Sequence, residues 1–208
     1  MNKKILVATT NKGKMAELTA MLDVDCQWLS LADFPDVEEV LEDGLTFAEN
    51  AQKKALGYAR ATGCWTIADD SGLVVDALDG APGIMSARFA GMPEKDMAPI
   101  SLDDRNTARV LELMKNIPAE NRTARFVCCL CLASPEKILL QTEGKLEGRI
   151  TTEKKGRSGF GYDPIVFVPE LNKTVAELTA AEKNAISHRG NAIRKLQPLL
   201  LDILDKPG

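Results

Sequence analysis

Two long strand-like runs with very little chain between them constrain the fold more than any other feature of this sequence. They extend from Ala124 to Ala133 and from Ile138 to Glu147, and only residues 134–137 separate them. So short a connection predicts either a hairpin or a pair of long adjacent strands. The first half of the chain alternates strand and helix patterns, which is typical of parallel strands. The combination predicts an α/β fold with a mixed β-sheet flanked by helices.

The periodicity of apolar residues predicts the remaining elements. Strands are expected at Lys4 to Ala8, Cys26 to Leu31, Cys64 to Ala68 and Ile165 to Val168, with a further apolar run at Gly72 to Leu78. Helices are expected at about Lys14 to Leu22 and at Phe47 to Thr62, Leu102 to Met114 and Ala180 to Leu204, and loops at 79–101 and Gly156 to Pro164. Thr46 and Glu49 form a capping box before the second helix, and Gly63 ends it. The length predicts a single domain over residues 1–208.

Composition excludes several classes of protein. Of the 208 residues, 45% are hydrophobic and 27% are charged, which is typical of a globular chain. The net charge of −4 argues against a surface that coats nucleic acid, although it permits a small basic pocket for a nucleotide. The apolar run Ile5 to Ala8 near the amino terminus is too short for a signal peptide or a membrane span. We therefore expect neither a nucleic-acid partner nor a membrane partner.

The cysteines indicate the compartment. The chain has five, and Cys128, Cys129 and Cys131 lie on one strand-like run. Neighbouring strand residues point to opposite faces, so these thiols are not expected to converge on a metal ion. They are interpreted as small core residues of a protein in a reducing compartment, which predicts a cytoplasmic location.

Two adjacent carboxylates, Asp69 and Asp70, follow the apolar run that begins at Cys64, and Ser71 and Gly72 come directly after them. At the carboxyl end of a strand, such a cluster could hold a divalent cation through hard oxygen ligands and orient a water molecule. The alternative is a polar turn in which an aspartate serves as a cap. The pair alone does not decide between the two.

Two loops in the first half carry groups that suit a phosphate or a metal. The segment Thr9 to Lys14 combines hydroxyls, lysines, a glycine and a helix amino terminus, which together suit a phosphate, although it could be a simple helix cap. It lacks the spacing of a Walker A loop. The acidic segment Glu38 to Gly44 could complete a metal site with Asp70, or it could be a solvated surface loop.

Two segments in the second half suit a nucleobase. Phe160 and Tyr162 stand between glycines in a loop, where an exposed ring could stack on a base or, alternatively, plug the loop. Ser187, His188 and Arg189 place several hydrogen-bond donors together, and His188 is the only histidine. A serine hydrolase is not expected, because no Gly-x-Ser-x-Gly elbow is present.

Taken in order, six segments of the chain resemble the inosine triphosphate pyrophosphatase family, which removes non-standard purine nucleotides. The segments are Thr10 to Lys14, Thr46 to Ala51, Ala68 to Leu73, Gly80 to Gly83 with Ser86 to Gly91, Gly159 to Pro164, and Ser187 to Gly190. The resemblance covers essentially the whole chain. It implies an elongated mixed β-sheet whose two lobes flank a substrate groove, a homodimer, and Mg²⁺-dependent cleavage of ITP, dITP and XTP to the monophosphate and pyrophosphate.

The resemblance also implies roles for individual residues. Asp70 would be the catalytic general base and a magnesium ligand, with Glu42 as the second ligand and Glu39 as the fallback. The substrate would be bound at the triphosphate by Ser71 and by Thr9, Thr10, Asn11, Lys12, Gly13 and Lys14, and also by Lys183. Phe160, Gly161, Tyr162 and Asp163 would cradle the base, and His188 with Arg189 would contact its edge. Asp69 would be a supporting group.

The chain departs from the family pattern at three positions. Thr10 replaces a glycine that is frequent in the first loop, Met85 replaces an aromatic residue, and Leu41 occupies a position where a glutamate is common. Two other functions stay open on sequence grounds. One is a related pyrophosphatase for modified pyrimidine or methylated nucleotides, and the other is a nucleotide-binding module without catalytic activity.

Overall fold

The structure, a computed structural model, describes residues 3–91 and 100–205, and its seven-stranded mixed sheet confirms the predicted fold class. The strands are β1 (Lys4–Val7), β2 (Gln27–Ser30), β3 (Trp65–Val75), β4 (Thr123–Ala133), β5 (Ile138–Ile150), β6 (Val166–Val168) and β7 (Lys173–Thr174). They lie in the order β2-β1-β3-β4-β5-β6-β7. β1 is parallel to both β2 and β3, whereas β6 is antiparallel to both β5 and β7.

The predicted helices are present with small shifts at their ends. They are α1 (Lys12–Met21), α2 (Phe47–Thr62), α3 (Leu102–Leu113), α4 (Ala180–Ile186) and α5 (His188–Leu204). The last two were predicted as one helical stretch, and the chain breaks it at Ser187, whose side chain caps α5 by accepting a hydrogen bond from Gly190 N. None of the helices in the described residues is long and apolar enough to span a membrane.

The ends of α2 follow the predicted chemistry with one difference. Thr46 accepts a hydrogen bond from Glu49 N at 3.1 Å, as an N-cap does. The Glu49 carboxylate accepts a hydrogen bond from Leu45 N at 2.7 Å rather than from Thr46 N, so the capping box is displaced by one residue. Gly63 ends the helix at φ +70°, a left-handed conformation that favours glycine.

The chain divides into two compact units, each with its own apolar core. The first comprises the described parts of Met1–Asp70, Cys128–Lys145 and Ser187–Gly208, and the second comprises those of Ser71–Val127 and Leu146–Ile186. The core of the first unit includes Ile5, Leu18, Ile67, Leu130 and Ile193. The core of the second includes Leu73, Val110, Phe126, Ile150 and Ile165. The single domain predicted for residues 1–208 stays a prediction.

The hairpin prediction is confirmed at β4 and β5. These strands are neighbours in the sheet, and the turn between them is closed by a hydrogen bond from Ser134 N to Lys137 O at 2.9 Å. Strand β7 was not predicted, because two residues are too few to show a periodicity. The predicted loop 79–101 contains a short 3₁₀ helix at Gly83–Arg88, and its residues 92–99 lie outside the described residues.

One prediction about β3 is wrong. The Asp69-Asp70-Ser71-Gly72 cluster was expected where a strand ends, but β3 runs without a break from Trp65 to Val75. The parallel neighbour β1 is shorter and pairs only with residues 65–67 of β3. The last bond of that pairing joins Ala8 N to Ile67 O at 2.8 Å. The carboxylates therefore lie beyond the carboxyl end of β1, although not at the end of their own strand.

The cysteine interpretation is confirmed for the three thiols on β4. Cys128, Cys129 and Cys131 are buried, and all five cysteines of the chain are free. Burial raises the pKa of Cys129 to about 12, with a further contribution from Glu143. Burial also raises the pKa of Cys131 to about 12. These thiols therefore serve as packing groups.

Candidate active site

The two adjacent aspartates of β3 are both buried but have different partners. Asp69 is 1% exposed and Asp70 is 8% exposed. Consecutive strand residues project to opposite sides of a sheet, so each carboxylate meets its own set of side chains. The difference between these two sets defines the candidate site of the first unit.

Asp69 is the centre of a buried ion network. Its Oδ2 atom lies 3.0 Å from Lys14 Nζ and 3.2 Å from an Arg189 nitrogen, and Arg189 also pairs with Glu17. Burial alone would raise the pKa of Asp69, but the charges of Lys14, Arg189 and Lys54 outweigh it and hold that pKa far below its usual range. Asp69 is thus fixed as an anion, as expected of a supporting group rather than a proton acceptor.

The negative charge of Asp70 is less fully compensated than that of Asp69. Asn50 Nδ2 donates a hydrogen bond to Asp70 Oδ2 at 3.1 Å. Burial raises the pKa of Asp70, and the opposing effects of Lys54, Asn50 and Lys14 do not cancel that rise. A carboxylate with a raised pKa is a better proton acceptor, so Asp70 suits general base catalysis better than Asp69 does.

Lys54 and Glu42 complete the group around Asp70. Lys54 Nζ lies 3.0 Å from Glu42 Oε2. Burial would lower the pKa of Lys54, but the charges of Asp69, Glu42 and Asp70 together raise it. The charge of Glu42 also adds to the effect of burial in raising the pKa of Asp70. Glu39 is exposed, and this placement favours Glu42 as the carboxylate that accompanies Asp70.

The carboxylates of Asp70 and Glu42 are the hard oxygen donors of this site that could hold a divalent metal. Within the described part of the chain, no three or more His, Cys, Asp or Glu side chains form a group that could hold a metal ion. Zinc sites in proteins normally need at least three such ligands. Magnesium is commonly held by one or two carboxylates together with water and substrate phosphates. Asp70 and Glu42 supply that number of carboxylates.

The predicted phosphate loop leads into α1. Asn11 caps this helix by accepting a hydrogen bond from Lys14 N at 3.0 Å, and Thr9 Oγ1 accepts one from Asn11 N at 3.2 Å. Thr10 and Asn11 are exposed beside the helix amino terminus, where backbone N–H groups favour an anion. The side chain of Lys12 lies outside what the structure describes.

The predicted base loop lies in the second unit and is fixed by two elements. Asp163 Oδ2 accepts hydrogen bonds from Phe160 N at 3.0 Å and from Lys183 Nζ at 2.8 Å. Lys183 Nζ also lies 4.4 Å from the centre of the Phe160 ring. From α3, Asp103 accepts a hydrogen bond from Gly161 N at 2.8 Å. The loop thus has a defined conformation in which Phe160, Asp163 and Lys183 come together.

Of the two alternatives for the aromatic rings of this loop, stacking on a base or plugging the loop, the position of Tyr162 favours the second. Its ring packs in the core of the second unit and is 5% exposed. Its hydroxyl donates a hydrogen bond to Ser86 O at 2.8 Å. The flanking glycines give the backbone its turn, but the ring lies inward and anchors the loop. Phe160 is half-buried and is the ring of this loop with surface to offer a ligand.

The remaining predicted residues take varied positions. His188 is the first residue of α5 and is 7% exposed, and Arg189 is bound within the Asp69 network. The backbone of α5 lies close to β5, since a Cβ added to Gly144 would lie 2.1 Å from His188 O. Ser71 follows Asp70 in β3 and is half-buried.

Sequence reasoning missed three polar residues of the first unit. Asn50 and Lys54 approach Asp70 from α2, and Glu17 pairs with Arg189 from α1. A signal for the first two was present, because residues four apart share a face of a helix. Asn50 occupies the face of α2 that is otherwise lined by small apolar residues such as Ala51 and Ala55. A buried asparagine at such a position is unusual and suggests a specific partner.

Comparisons with known proteins cover both units. The sequence model of the Ham1 family matches residues 5–199. A dITP/XTP pyrophosphatase of Desulforamulus reducens is 50% identical over 198 residues, which span 95% of this chain and 95% of that protein. The structure of the Staphylococcus aureus Ham1 protein has a TM-score of 0.83 at 40% identity and covers 97% of this chain and 100% of that chain. The structure of a HAM1 protein from Coxiella burnetii has a TM-score of 0.85 at 39% identity and covers 96% of this chain and 99% of that chain.

Proposed function

The chain belongs to the Ham1 family, and on that basis we propose that it hydrolyses the non-standard purine triphosphates dITP, XTP and ITP to the monophosphate and pyrophosphate. The observation that carries the proposal is the buried Asp70 carboxylate, bound by Asn50 and placed beside Lys54 and Glu42. A protein that only binds nucleotides has no need of such a proton acceptor. The chain is therefore a hydrolase that removes deaminated purines from the nucleotide pool.

In this reaction Asp70 accepts a proton from the water that attacks the bond between the α- and β-phosphates. The raised pKa of Asp70, which burial causes, suits this role because the carboxylate then holds the proton more readily. Phosphoryl transfer depends mainly on positioning and on neutralisation of charge, so no covalent nucleophile is required. Lys54 and Lys14 lie near Asp70 and offset negative charge there.

Nucleotide pyrophosphatases of this kind generally use a divalent metal. We propose Mg²⁺, held by Asp70 and Glu42, because the pair supplies the hard oxygen donors that magnesium prefers. When bound, the ion neutralises phosphate charge and makes a coordinated water more acidic. The salt bridge between Glu42 and Lys54, at 3.0 Å, holds the Glu42 carboxylate in place to serve as a ligand.

We propose that the nucleotide is bound by the residues that the sequence predicts. Thr9, Thr10, Asn11, Lys12, Gly13, Lys14 and Ser71 would bind the triphosphate, and Phe160, Gly161, Tyr162, Asp163, Lys183, His188 and Arg189 would bind the base and adjoining groups. Hypoxanthine and xanthine carry a carbonyl at C6 where adenine carries an amino group. Donors from His188, Arg189 and backbone amides favour the carbonyl and oppose the amino group.

Two further proposals concern the protein as a whole. We propose a homodimer in a reducing, cytoplasmic compartment, and the five free cysteines support the second part. Sedimentation of the purified chain at several concentrations measures the first directly. A dimer has a mass of about twice 22.6 kDa, and a single species at 22.6 kDa at all concentrations contradicts it.

The proposed activity is tested by measuring pyrophosphate released from dITP, XTP, dATP, dGTP and dUTP in the presence of Mg²⁺. We expect release from dITP and XTP to exceed release from the other three by about 100-fold or more. Equal turnover of all five, or release of inorganic phosphate in place of pyrophosphate, contradicts the proposal. Preference for dUTP would identify a pyrimidine enzyme.

A further inference from the structure

The Asn50 side chain joins Asp70 to the acidic loop, which comprises Glu38 to Gly44. Asn50 is 2% exposed and lies in the first turn of α2. Its Nδ2 atom donates to Asp70 Oδ2 at 3.1 Å, and its Oδ1 atom accepts from Gly44 N at 2.8 Å. Gly44 is two residues beyond Glu42 in the chain. One carboxamide therefore contacts both the proposed general base and the loop that carries the second proposed ligand.

The acidic loop packs tightly against this side chain. A Cβ added to Gly44 would lie 2.7 Å from Asn50 Oδ1 and 2.8 Å from Glu49 Cβ, so no larger residue fits without displacement. One helical turn further on, Lys54 Nζ forms a salt bridge with Glu42 Oε2 at 3.0 Å. The exposed pair of Lys53 and Asp43 adds a third link at 2.5 Å. α2 thus holds the loop at three positions, and of these Asn50 also donates a hydrogen bond to Asp70.

The chemistry of the two contacts determines which end of the carboxamide faces Asp70. A backbone N–H can only donate, so the oxygen of Asn50 must face Gly44. The NH₂ group then faces Asp70, where a carboxylate accepts. An aspartate at this position would keep the acceptor for Gly44 but would place one carboxylate against another. The amide of Asn50 satisfies both partners at once.

We infer that Asn50 is a positioning residue that sets the orientation of the Asp70 carboxylate relative to the acidic loop. The inference rests on the proposed function, because it assigns Asn50 a role through Asp70. A fixed hydrogen bond to one oxygen of a buried carboxylate restricts its rotation, and catalysis depends strongly on the geometry of the base. Asn50 itself need not touch the substrate.

The test compares Asn50→Asp and Asn50→Ala with the wild-type chain and with Thr142→Val. Thr142 is a matched control, since its buried hydroxyl donates to Ala192 O at 3.0 Å in the same unit. We expect both Asn50 variants to lower kcat for dITP about 100-fold, with KM within about threefold of wild type. Thr142→Val should lower the unfolding temperature but leave kcat within about twofold.

Amide exchange at Gly44 provides a readout that is independent of activity. The Gly44 N–H should stay protected in Asn50→Asp, which keeps an acceptor, and should exchange at least about tenfold faster in Asn50→Ala.

A second comparison places Asn50→Ala in the Asp70→Asn background. If Asn50 acts through Asp70, its loss should cost no further activity there. Additive losses in that background identify a merely structural role and overturn the inference.

Failure of the inference and failure of the proposed function give different results. If the wild-type chain releases no pyrophosphate from dITP or XTP, the proposed function is wrong, whatever the Asn50 variants do. If the wild-type chain is active and Asn50→Asp keeps kcat within twofold, the positioning role is wrong and the function stands. Equal losses in kcat for Asn50→Ala and Thr142→Val also overturn the positioning role.

Discussion

Adjacent aspartates in this chain have different electrostatic environments because their partners differ. Asp69 shares one oxygen between Lys14 and Arg189, so its negative charge is matched by cations within 3.2 Å. Asp70 accepts from the neutral amide of Asn50, and burial raises its pKa. The first arrangement stabilises an anion permanently, whereas the second keeps a carboxylate available for a proton. This difference in compensation assigns the proposed chemistry to Asp70.

The substitution Asp70→Asn tests that assignment. It keeps the size of the side chain and removes the proton acceptor, so we expect kcat for dITP to fall about 1,000-fold or more. The fold should persist, and the circular dichroism spectrum should match that of the wild-type chain. Asp70→Asn with more than a tenth of wild-type turnover would reject Asp70 as the base.

Asp69→Asn is expected to act on stability. Neutralising Asp69 leaves the buried charges of Arg189 and Lys14 without their shared anion, and breaking such a buried network costs about 3–5 kcal/mol. The exposed pair of Asp43 and Lys53 is the control, and Asp43→Asn should cost less than about 1 kcal/mol. Urea unfolding of both variants measures the difference. Equal losses of unfolding free energy would mean that the buried network contributes no more than a surface pair.

Among the single residues, the sequence indicates what type of group is present but not which groups meet. Thr46 and Gly63 were identified correctly as helix caps, because caps act on neighbours a few residues away, whereas Glu49 bonds Leu45 N in place of the predicted Thr46 N. Asn50 and Lys54 were missed because their partners, Asp70 and Glu42, are distant in the chain or lie outside regular structure. The inward turn of Tyr162 was likewise decided by a distant partner, Ser86.

Among the elements, α2 does most to shape the site of the first unit. Its buried face packs alanines in the interior, and its first two turns present Asn50 and Lys54 to Asp70. β3 supplies the aspartates where its neighbour β1 has already ended. Aspartate and glycine are uncommon inside strands, so the continuity of β3 through residues 69–72 is a tertiary effect.

The N-cap of α2 gives a prediction at this scale. Thr46→Ala removes the acceptor for Glu49 N and should lower the unfolding free energy by about 1 kcal/mol. Thr46→Ser retains the hydroxyl and should recover most of that loss. Thermal unfolding followed by circular dichroism distinguishes the three chains. If Thr46→Ala unfolds at the same temperature as the wild-type chain, the hydrogen bond between Glu49 and Leu45 N is enough to hold the helix end.

For the whole molecule, removal of divalent metal should abolish turnover without unfolding the chain. Asn50 already binds Asp70, and Lys54 already binds Glu42, so both carboxylates keep protein partners when the ion is removed. Dialysis against EDTA should therefore eliminate pyrophosphate release from dITP, and excess Mg²⁺ should restore it. The melting curve in EDTA should keep its cooperative transition. Full turnover after dialysis, or loss of the folded signal, contradicts the prediction.

The sequence by itself determined the mixed α/β sheet, most helix and strand bounds, the hairpin of β4 and β5 and the burial of the three cysteines of β4. Those features follow from periodicity, turn length and capping, which act over a few residues. The tertiary structure decided that Asp69 pairs with Lys14 and Arg189, that Asn50 and Lys54 face Asp70, and that Tyr162 lies inward. These contacts join residues as far as 120 positions apart, and burial and charge compensation there depend on which segments the fold brings together.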